Sequence, residues 1–558
     1  MAQSQAEKEQ LSDSTVSILQ RQTDYLLRQA QRKAMFQFLF SGNFITDHVR
    51  AGPNKMEGIT TVGSIPLALR LKTSKQRRKT MSTISKDSLK TSLLKLECHF
   101  TWTLLEKHVS LEALEETILD HIKFVVEYNI RDYNILSYVC HLKNSDEEAL
   151  RNLKKAEEVI QKCHPGEIAR KSLVTWGNYA WIYYHMQRYE EAQTYISKVE
   201  NSCKELSITS HGKIQLPEIY AEKGWALLRF GRNYFERAKN CFENALKSEP
   251  DNPDVNAGYA IAMYRLEDCA KKYGEEVRPC LEALQRAVEL NPNDTTIMGL
   301  LALELQRLQR VNEGERYIEE GLQKTPDFPV FLRYAANFYR KKGKVDKAVE
   351  ILQKALVLTP NAVVLHHQLG LCYRTKALQL KNTRYTPQEE VENLIELAIF
   401  HFKIVIDKKP VFFCAHCDLA NAYALAKRYE EAEEVFQGVL QRNDIPCDDK
   451  QVIYFNYGNF QHFHMKSESK AIKCYIEGLK MEKDSYGRKK CSEAVKTLLK
   501  EKIKRGLRAT DIGTLGLVHN LNGKKQEAIQ CYQKAIALEP NNEEYLNALA
   551  ELQLSISS

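Results

Sequence analysis

Apolar and small residues recur along most of this chain with a period of 34 positions. Pro292, Pro326 and Pro360 lie 34 residues apart, and the apolar positions before each of them follow helical spacing. The pattern predicts pairs of helices in which a proline ends the second helix, because proline lacks the amide donor that a further turn needs. Outside residues 1–80 no segment alternates with a period of two, so no strands are predicted.

Well-separated copies of the repeat place the same residue types at the same helix-packing positions. Small residues there allow two helices to approach closely, and large ones fill the opposite groove. A 34-residue period with this pattern is typical of tetratricopeptide repeats. The sequence therefore predicts an all-α tetratricopeptide-repeat superhelix, a solenoid stabilised by stacking each helix pair on the next. The packing positions are Ala335, Ala336, Tyr339, Ala348, Leu352 and Ala355 before Pro360; Trp225, Ala226, Ala238, Phe242 and Ala245 before Pro250; and Leu515, Gly516, Ala528, Tyr532 and Ala535 before Pro540.

Two stretches interrupt the period. Residues 380–394 are inserted between the helices of one pair, and we expect them to lengthen or bend those helices. Residues 481–508 break the spacing before the last clear repeat. Residues 483–508 include ten basic and three acidic residues. Such a basic helix is either a solvated face or a polyanion-binding surface, and both interpretations stay open.

The chain has 558 residues, more than one hydrophobic core holds, so it requires several domains or a repeat array. Its net charge of +8 is concentrated in residues 1–80, which contain 13 basic and 6 acidic residues, whereas the remainder is almost neutral. A polyanion site in the body would therefore need local clustering. The polar start, the lack of a long apolar run and the 14 scattered cysteines predict a cytoplasmic protein with reduced thiols and no membrane segment.

The chain divides into an atypical extension and a repeat body. Residues 1–80 contain a basic run at 72–79, and Met81 opens a stretch that resembles a protein start, so the extension need not belong to the functional protein. The body is predicted to comprise an N-terminal subdomain (81–215), a central subdomain that lines the groove (216–395) and a C-terminal subdomain (396–558). We expect 81–558 to fold without the extension, because the repeats stack only on one another.

Motifs for catalysis and cofactor binding are absent from the sequence. There is no GxxxxGK[ST] phosphate loop, no HExxH and no GxSxG. Cys414 and Cys417 form a single C-x-x-C without the second ligand pair that a structural zinc site needs. The sequence therefore predicts a protein that is not an enzyme and has no cofactor and no metal.

Basic residues occupy groove-facing positions of the first helices. The fifth position is Arg333 and then His367, and the twelfth is Arg340 and then Arg374. Arg229 stands where an apolar residue is expected. Cations that point into a groove cost desolvation unless an anion pairs with them, so the groove is predicted to bind a polyanion or carboxylates. The alternative is internal pairing with neighbouring Glu and Asp.

Two ligands suit such a groove, an acidic peptide or RNA. RNA phosphates favour arginine forks, and RNA bases favour aromatic platforms. Trp225, Tyr234, Tyr334 and Tyr339 supply aromatic rings near the cations. Composition alone does not choose between the two.

Long blocks of this sequence resemble the interferon-induced proteins with tetratricopeptide repeats, and within that family they resemble the fifth member most and then the first. The blocks extend over essentially all of 81–558. They are LECHFTW (96–102), SLVTWGNYAWIYYHM (172–186), EKGWALLRFG (222–231), GYAIAMYRLE (258–267), RYAANFYRKKG (333–343), LHHQLGLCYR (365–374) and YLNALAELQLSI (545–556).

The resemblance implies a cytoplasmic, interferon-induced antiviral protein. Its fold would be a solenoid that closes into a clamp with a basic central tunnel. The tunnel would hold single-stranded RNA by its 5′ end, either a triphosphate or a cap lacking 2′-O-methylation, and so inhibit translation of that RNA. The RNA-binding residues implied are Thr117, His121, Trp225, Arg229, Tyr234, Arg265, Arg333, Tyr334, Arg340, His367, Gln368 and Lys490.

Several positions depart from the family pattern. His121 stands where the RNA binders carry Gln, Ala113 replaces an acidic residue, and Val330 replaces a tyrosine. The family self-associates through a Tyr-x-x-x-Leu pattern, but here Tyr532 is followed by Ile536. The partners implied are RNA, other members of the family and a second copy of the chain. The alternative function is a non-enzymatic adaptor that binds protein partners or acidic peptides in innate immune signalling.

Overall fold

The computed structural model describes residues 86–104, 110–124, 129–206, 216–271, 279–381, 387–481 and 484–557. Residues Ile84–Ser558 form one compact unit. The extension 1–80 and its basic run lie outside the described residues. Every regular element in the described ranges is helical, so the predicted all-α class is confirmed.

The helices follow one another as antiparallel neighbours along the unit. In the first part they are α1 (Lys86–Leu93), α2 (Leu111–Phe124), α3 (Asn129–Leu142), α4 (Asp146–Cys163), α5 (Ile168–Lys171), α6 (Leu173–His185), α7 (Tyr189–Glu205), α8 (Pro217–Arg229), a 3-10 turn (Arg232–Tyr234) and α9 (Phe235–Leu246). The middle part contains α10 (Pro253–Lys271), α11 (Pro279–Leu290), α12 (Thr295–Arg307), α13 (Val311–Lys324), α14 (Pro329–Lys341), α15 (Val345–Leu358), α16 (Val363–Lys381) and α17 (Gln388–Lys408). The last part contains α18 (Phe413–Leu425), α19 (Tyr429–Leu440), α20 (Cys447–Phe463), α21 (Glu468–Lys480), α22 (Tyr486–Arg505), α23 (Ala509–Leu521), α24 (Lys525–Leu538) and α25 (Glu543–Ser557).

The repeat positions pack as the sequence predicts. Phe242 of α9 is fully buried and faces Gly224 of α8 and Gly258 of α10. A Cβ at Gly224 would lie 2.8 Å from the Phe242 ring, so the glycines make room for the phenylalanine between adjacent repeats. In the repeat before Pro360, Ala336 and Ala348 are likewise inaccessible to solvent.

The turn between the two helices of a pair has a common backbone conformation. Gln309, Gly343 and Lys427 follow a first helix and have φ angles of 64°, 87° and 61°. The turns at Gln309 and Gly343 are 34 residues apart. The left-handed region favours glycine, yet glutamine and lysine also adopt it here, because the stacking of the flanking helices fixes the turn.

Both predicted interruptions have structural counterparts. The helices that flank residues 380–394 are lengthened, since α16 has 19 residues and α17 has 21, compared with 13 in α14. Residues 481–508 contain α22, a single 20-residue helix that packs against α20 and α21. Its apolar side buries Cys491, Val495 and Leu499.

Buried apolar residues form consecutive clusters along the superhelix. One cluster extends from Leu89 to Leu305, the next from Ala302 to Phe460, and two smaller ones follow. The subdomain boundaries at 215 and 395 stay predictions. None of the helices in the described ranges has an apolar stretch that could cross a membrane.

Contacts between distant repeats bring the superhelix back on itself. Lys123 of α2 donates a hydrogen bond to Leu358 O at 3.4 Å, a contact between residues 235 positions apart. The side chain of Asn361, in the turn after α15, hydrogen-bonds Glu116 of α2 and accepts from Lys408 Nζ at 2.9 Å. Helix α2 therefore lies across the groove from the central repeats.

Candidate nucleic-acid interface

A cavity of about 650 Å³ lies where α2, α3 and α8 face the N-terminal ends of α10, α12 and α14. We call it the Trp225 pocket. Its lining includes the predicted site residues His121, Trp225 and Arg229. It also includes residues that the repeat pattern did not indicate, namely Arg131, Asp132, Glu222, Asp254, Asp294 and Asp327.

Trp225 is held in the pocket by two polar neighbours. Its Nε1 donates to Asp254 Oδ2 at 3.2 Å, and the guanidinium carbon of Arg131 lies 4.8 Å from its ring centroid. Arg131 also donates two hydrogen bonds to Asp254, at 2.7 and 3.0 Å. The indole is therefore a fixed aromatic platform, as stacking with a nucleobase requires.

Arg229 is bound to an acidic partner. Its Nη2 donates to Asp132 Oδ1 at 3.0 Å, and the other carboxylate oxygen of Asp132 lies 2.5 Å from His121 Nδ1. Burial opposes the ionised form of Asp132, but the hydrogen bond from His121 and the charge of Arg229 hold its pKa below the ordinary value. Burial lowers the pKa of Arg229. For Arg229 the internal ion pair, the alternative left open by the sequence, is what the structure contains.

Two further titratable groups line the pocket and are buried. Burial raises the pKa of Glu222 to about 7, although Asn134 Nδ2 donates a hydrogen bond to it at 2.8 Å. Burial lowers the pKa of His99 to about 3, so its imidazole is neutral at physiological pH. Near neutral pH the His99 imidazole is therefore uncharged and the Glu222 carboxyl is partly protonated.

A second cavity, of about 350 Å³, follows along the same helices, and we call it the Arg333 cavity. The residues of α10, α12 and α14 that line it lie after those that line the Trp225 pocket. Arg265 Nη1 donates to Leu228 O at 3.0 Å, next to Arg229 in the chain. The two cavities are therefore consecutive along the groove. The lining of the second comprises Tyr264, Arg265, Leu300, Leu303, Arg333, Tyr334, Asn337 and Gln368.

Arg333 differs from Arg229 in its partners. Its guanidinium carbon lies 4.3 Å from the ring centroid of Tyr334. Within the described part of the chain, no carboxylate lies within ion-pair distance of Arg333. Gln368 adds a buried side-chain oxygen that accepts no hydrogen bond there. The cavity therefore offers a cation and a polar group to an outside ligand.

The remaining groove positions divide into paired and unpaired cations. His367 and Arg374 both contact Asp418, at 2.9 and 2.7 Å, so for these two residues the structure contains the alternative, internal pairing with an acidic residue. Arg340 donates to Asn337 Oδ1 at 3.0 Å, and its Nε is buried without a partner in the described residues. Burial lowers the pKa of Arg340. Arg340 and Arg333 are therefore the groove cations best suited to bind an anion from outside the chain.

Other predicted residues lie outside the two cavities. Tyr234 is only 5% exposed and faces Arg237, so its ring belongs to the core and its expected role as a groove platform is wrong. Thr117 is exposed on α2 and donates to Ala113 O at 2.8 Å. Lys490 pairs with Glu493 at 2.8 Å on α22. Thr117 and Lys490 stay predictions as RNA contacts.

One buried group in the described ranges has the composition of a metal-ligand set, namely Glu267, Cys280 and Glu304. Arg307 pairs with Glu304 and lies 3.5 Å from Glu267. The Cys280 backbone amide donates to Glu267 at 2.6 Å. Because a guanidinium already compensates both carboxylates, this is a structural ion-pair network.

The chain is similar to known tetratricopeptide proteins in sequence. Tetratricopeptide repeat models match residues 173–203, 222–295, 300–363 and 513–542. Human "Protein IFIT1 homolog B" is 46% identical over 454 residues, covering 80% of this chain and 96% of that protein. Human "Antiviral innate immune response effector IFIT1" is 45% identical over 467 residues, covering 82% of this chain and 98% of that protein.

Two solved structures of similar proteins contain 5′-end RNA ligands. A monomeric mutant of IFIT1 with Gppp-AAAA has a TM-score of 0.73 at 44% identity and covers 81% of this chain and 100% of its own. The human IFIT1 dimer with PPP-AAAA has a TM-score of 0.72 at 44% identity and covers 81% of this chain and 99% of its own.

The order expected within the family, with the fifth member before the first, is not confirmed, because the relatives described above are of the IFIT1 type. The repeat pattern, the fold and the extent of sequence identity agree on the broader classification. The chain belongs to the interferon-induced proteins with tetratricopeptide repeats.

Proposed function

We propose that this protein is a cytoplasmic, interferon-induced antiviral effector, not an enzyme, that holds single-stranded RNA by its 5′ end and thereby inhibits its translation. The observation that supports the proposal is the position of the two cavities, one after the other along the same groove. The Trp225 pocket supplies an aromatic platform, and the Arg333 cavity supplies a guanidinium that has no carboxylate partner among the described residues. A capped RNA end has a base followed by phosphates and a triphosphate end has phosphates followed by a base, so either end has a ring and anions that suit adjacent cavities of this kind.

Phosphates explain the position of Arg333 better than an internal structural role does. A guanidinium that lines a cavity without a carboxylate partner favours an anionic ligand, and among the described residues the side-chain contact of Arg333 is with the Tyr334 ring. Arg265 and Arg340 extend the same basic path on α10 and α14. Because the contacts would be to phosphate and to stacked rings, the RNA downstream of the end would be bound without base specificity.

Sequestration of the end also accounts for the proposed effect on translation. A 5′ end that is enclosed between α2 and the central repeats is not accessible to the factors that start translation at that end. The relatives with solved structures contain short RNAs that begin with PPP or Gppp, which supports the same type of ligand here.

A binding experiment with matched RNAs tests the proposal. The purified full chain would be titrated with one RNA sequence that carries a 5′-hydroxyl, a 5′-triphosphate or a guanosine cap. We expect at least one of the two modified ends to bind more tightly than the hydroxyl end. Arg333→Ala should weaken that binding roughly ten- to a hundredfold, as expected for one charge-assisted contact.

Arg286→Ala is the matched control, because Arg286 is half-exposed and pairs with Asp251 on the surface, away from both cavities. It should leave RNA affinity unchanged. Equal affinity for all three ends, unaltered by Arg333→Ala, would exclude end recognition. That result would favour the adaptor function, in which these substitutions weaken a protein partner.

We also propose that the chain self-associates through its C-terminal helices. Leu538, Leu546 and Leu554 are 44, 42 and 72% exposed on α24 and α25. Tyr545 and Leu549 also have Tyr-x-x-x-Leu spacing, but Tyr545 is 6% exposed and packs in the C-terminal core, so the exposed leucines are what supports the proposal. A human relative was solved as a dimer, and a variant of it as a monomer, which supports this proposal.

A further inference from the structure

A group of basic side chains lies where α22 packs against the turn between α23 and α24. Ser492 of α22 donates to Asn522 Oδ1 in that turn at 3.1 Å, and Arg488, one turn earlier in α22, donates to Leu521 O. This face of α22 is therefore fixed against the turn. Its next two turns each carry a lysine. The basic residues of this face and of the turn form what we call the α22 cluster, namely Lys496, Lys500, His519 and Lys524.

The α22 cluster has more positive charge than the neighbouring carboxylate compensates. Glu527 is the acidic residue whose charge acts on both Lys496 and His519. Its carboxylate lies 3.6 Å from Lys524 Nζ and also accepts a hydrogen bond from its own backbone amide. In the part of the chain that the structure describes, no carboxylate lies within ion-pair distance of Lys496 or Lys500. Two of the three lysines are therefore left to pair with an anion from outside the chain.

The basic groups of the cluster are close enough to repel one another. Burial lowers the pKa of Lys496, and the charges of Lys524 and Lys500 act in the same direction. Burial also lowers the pKa of His519, and the charge of Lys496 again acts in the same direction. Since neighbouring like charges disfavour each other's ionised forms, an anion placed among these groups would interact favourably with all of them.

His519 adds hydrogen-bonding capacity that the protein does not use. Its Nδ1 is inaccessible to solvent and has no hydrogen-bond partner in the described residues. A buried polar atom without a partner costs free energy, which a ligand that supplies the partner recovers. Because no hydrogen bond through Nδ1 fixes the imidazole, the ring can turn to present a nitrogen to a ligand beside the lysines.

A phosphate group with two or more negative charges matches these donors. Each lysine ammonium offers three N–H donors, and its hydrogen bonds to phosphate oxygens are charge-assisted. Helix α24 has 14 residues and begins directly after Lys524, so its N-terminal end adds the positive end of a helix dipole. A single carboxylate carries only one charge, and Glu527 already supplies one at this place. The remaining positive charge therefore favours a multiply charged anion.

We propose that the α22 cluster is a binding site for a phosphorylated ligand, separate from the Trp225 pocket and the Arg333 cavity. None of its four members is among the residues that line those two cavities. The inference goes beyond the proposed function and does not depend on it. Two sources share the required chemistry, a small polyphosphorylated compound and the phosphates of an RNA chain at a distance from its 5′ end.

The test uses inorganic tripolyphosphate as the probe, titrated into the full chain at low salt, where charges are weakly screened. All variants carry Arg333→Ala, which removes the guanidinium without a carboxylate partner from the Arg333 cavity. We expect this protein to bind tripolyphosphate. Adding Lys496→Gln and Lys500→Gln should weaken the binding roughly tenfold or more, because two charge-assisted contacts are lost. Hydrogen exchange should show that tripolyphosphate protects the amides of residues 519–527, and that the added substitutions abolish this protection.

The matched control removes two lysine charges that already have carboxylate partners. Lys376 pairs with Asp346 at 2.6 Å on the surface, and Lys480 pairs with Glu477 at 2.8 Å. Lys376→Gln with Lys480→Gln should leave tripolyphosphate affinity unchanged. Thermal melting without ligand would verify that each variant folds.

If the substitution of the half-buried Lys496 prevents folding, Lys500→Gln with Lys524→Gln removes two exposed members of the cluster instead. This pair should weaken tripolyphosphate binding by a similar factor, because it also removes two cationic contacts.

A short and a long 5′-hydroxyl RNA identify the source of the phosphates. If the substitutions at Lys496 and Lys500 weaken binding of the long RNA only, the phosphates belong to the RNA chain. If they weaken tripolyphosphate binding but affect neither RNA, the ligand is a small polyphosphorylated compound.

The inference is overturned if the Arg333→Ala protein does not bind tripolyphosphate. It is also overturned if the cluster substitutions and the control substitutions have equal effects. Neither result bears on recognition of the 5′ end, which the RNAs with different ends test in the protein with an intact α22 cluster. Conversely, equal affinity for all three ends would exclude end recognition and leave the phosphate site at the α22 cluster unaffected.

Discussion

The guanidinium of Arg131 lies over the indole of Trp225, 4.8 Å from the ring centroid, and Asp254 accepts hydrogen bonds from both side chains. Arg131 comes from α3 and Trp225 from α8, so the contact joins two repeats at the pocket. A ring fixed in this way loses little conformational entropy when a base stacks on it.

Trp225→Ala should weaken binding of a base-bearing 5′ end by roughly 1–3 kcal/mol, the range of one lost base-aromatic stack. Trp225→Phe should retain part of the affinity, because it keeps an aromatic face but loses the hydrogen bond to Asp254. Titration with capped RNA would measure both. The stacking role of Trp225 is contradicted if the two variants lose the same affinity for capped RNA, or if neither variant loses affinity.

Salt should weaken RNA binding steeply, because phosphate neutralisation releases counterions. For single strands the slope of log affinity against log salt is about −0.7 per phosphate contact. Arg333→Ala should reduce the slope by approximately one such contact, whereas Arg286→Ala should leave it unchanged. Binding measured at four or more salt concentrations would decide this. An identical slope in wild type and Arg333→Ala would mean that Arg333 does not touch phosphate.

The repeat periodicity was sufficient to predict the fold and part of the groove. Phe242 and Ala336 pack as predicted because their neighbours in space lie one repeat away, at a fixed sequence distance. Arg333 lines its cavity because it occupies a repeat position that faces the groove.

Asp132 could not be found from the sequence, since its partner Arg229 is 97 residues away and α3 matches no clear copy of the repeat. The repeat positions leave internal pairing of the cations open, but they do not indicate which carboxylate lies opposite Arg229. Tyr234 was misjudged because the 3-10 turn that follows α8 directs its ring into the core.

Two glycines provide a matched test of the packing between repeats. Gly321 in α13 faces the buried ring of Phe331, and a Cβ at this position would overlap the ring. Gly321→Ala should therefore lower the free energy of unfolding by roughly 1–3 kcal/mol. Gly438 in α19 has no atom within 4 Å of an added Cβ, so Gly438→Ala should raise stability by roughly 0.5–1 kcal/mol. Chemical denaturation would measure both, and equal effects of the two substitutions would contradict the packing argument.

The exposed C-terminal leucines give a test of self-association. The double substitution Leu546→Glu and Leu554→Glu places charges on an apolar surface, so it should shift a dimer toward monomer. Sedimentation over a range of concentrations would show the shift. Val357→Glu is the control, because Val357 is 80% exposed but lies on α15. If the double leucine variant and Val357→Glu have the same sedimentation mass, the interface does not lie on these C-terminal leucines.

Stability should fall as the pH drops below about 6.5, because several histidines are buried in the neutral form. His366 and His401 are 7 and 3% exposed, with their Nδ1 atoms 3.0 Å apart, and burial lowers the pKa of both. The unfolded chain protonates these groups near the ordinary value of 6.5, before the folded chain does. It therefore binds more protons between that pH and the lowered folded pKa, and the free energy of unfolding decreases through this window.

His401→Gln should reduce the loss of stability between pH 7 and pH 5 by roughly 1–2 kcal/mol, since it removes one group that must stay neutral on folding. His164→Gln, at a half-exposed site in the turn after α4, is the control and should leave the pH dependence unchanged. Denaturant unfolding of wild type and both variants at the two pH values gives the three differences. If His401→Gln loses as much stability as wild type on acidification, the buried histidine pair does not cause the acid sensitivity, and the other lowered pKa, that of His99, becomes the group to substitute next.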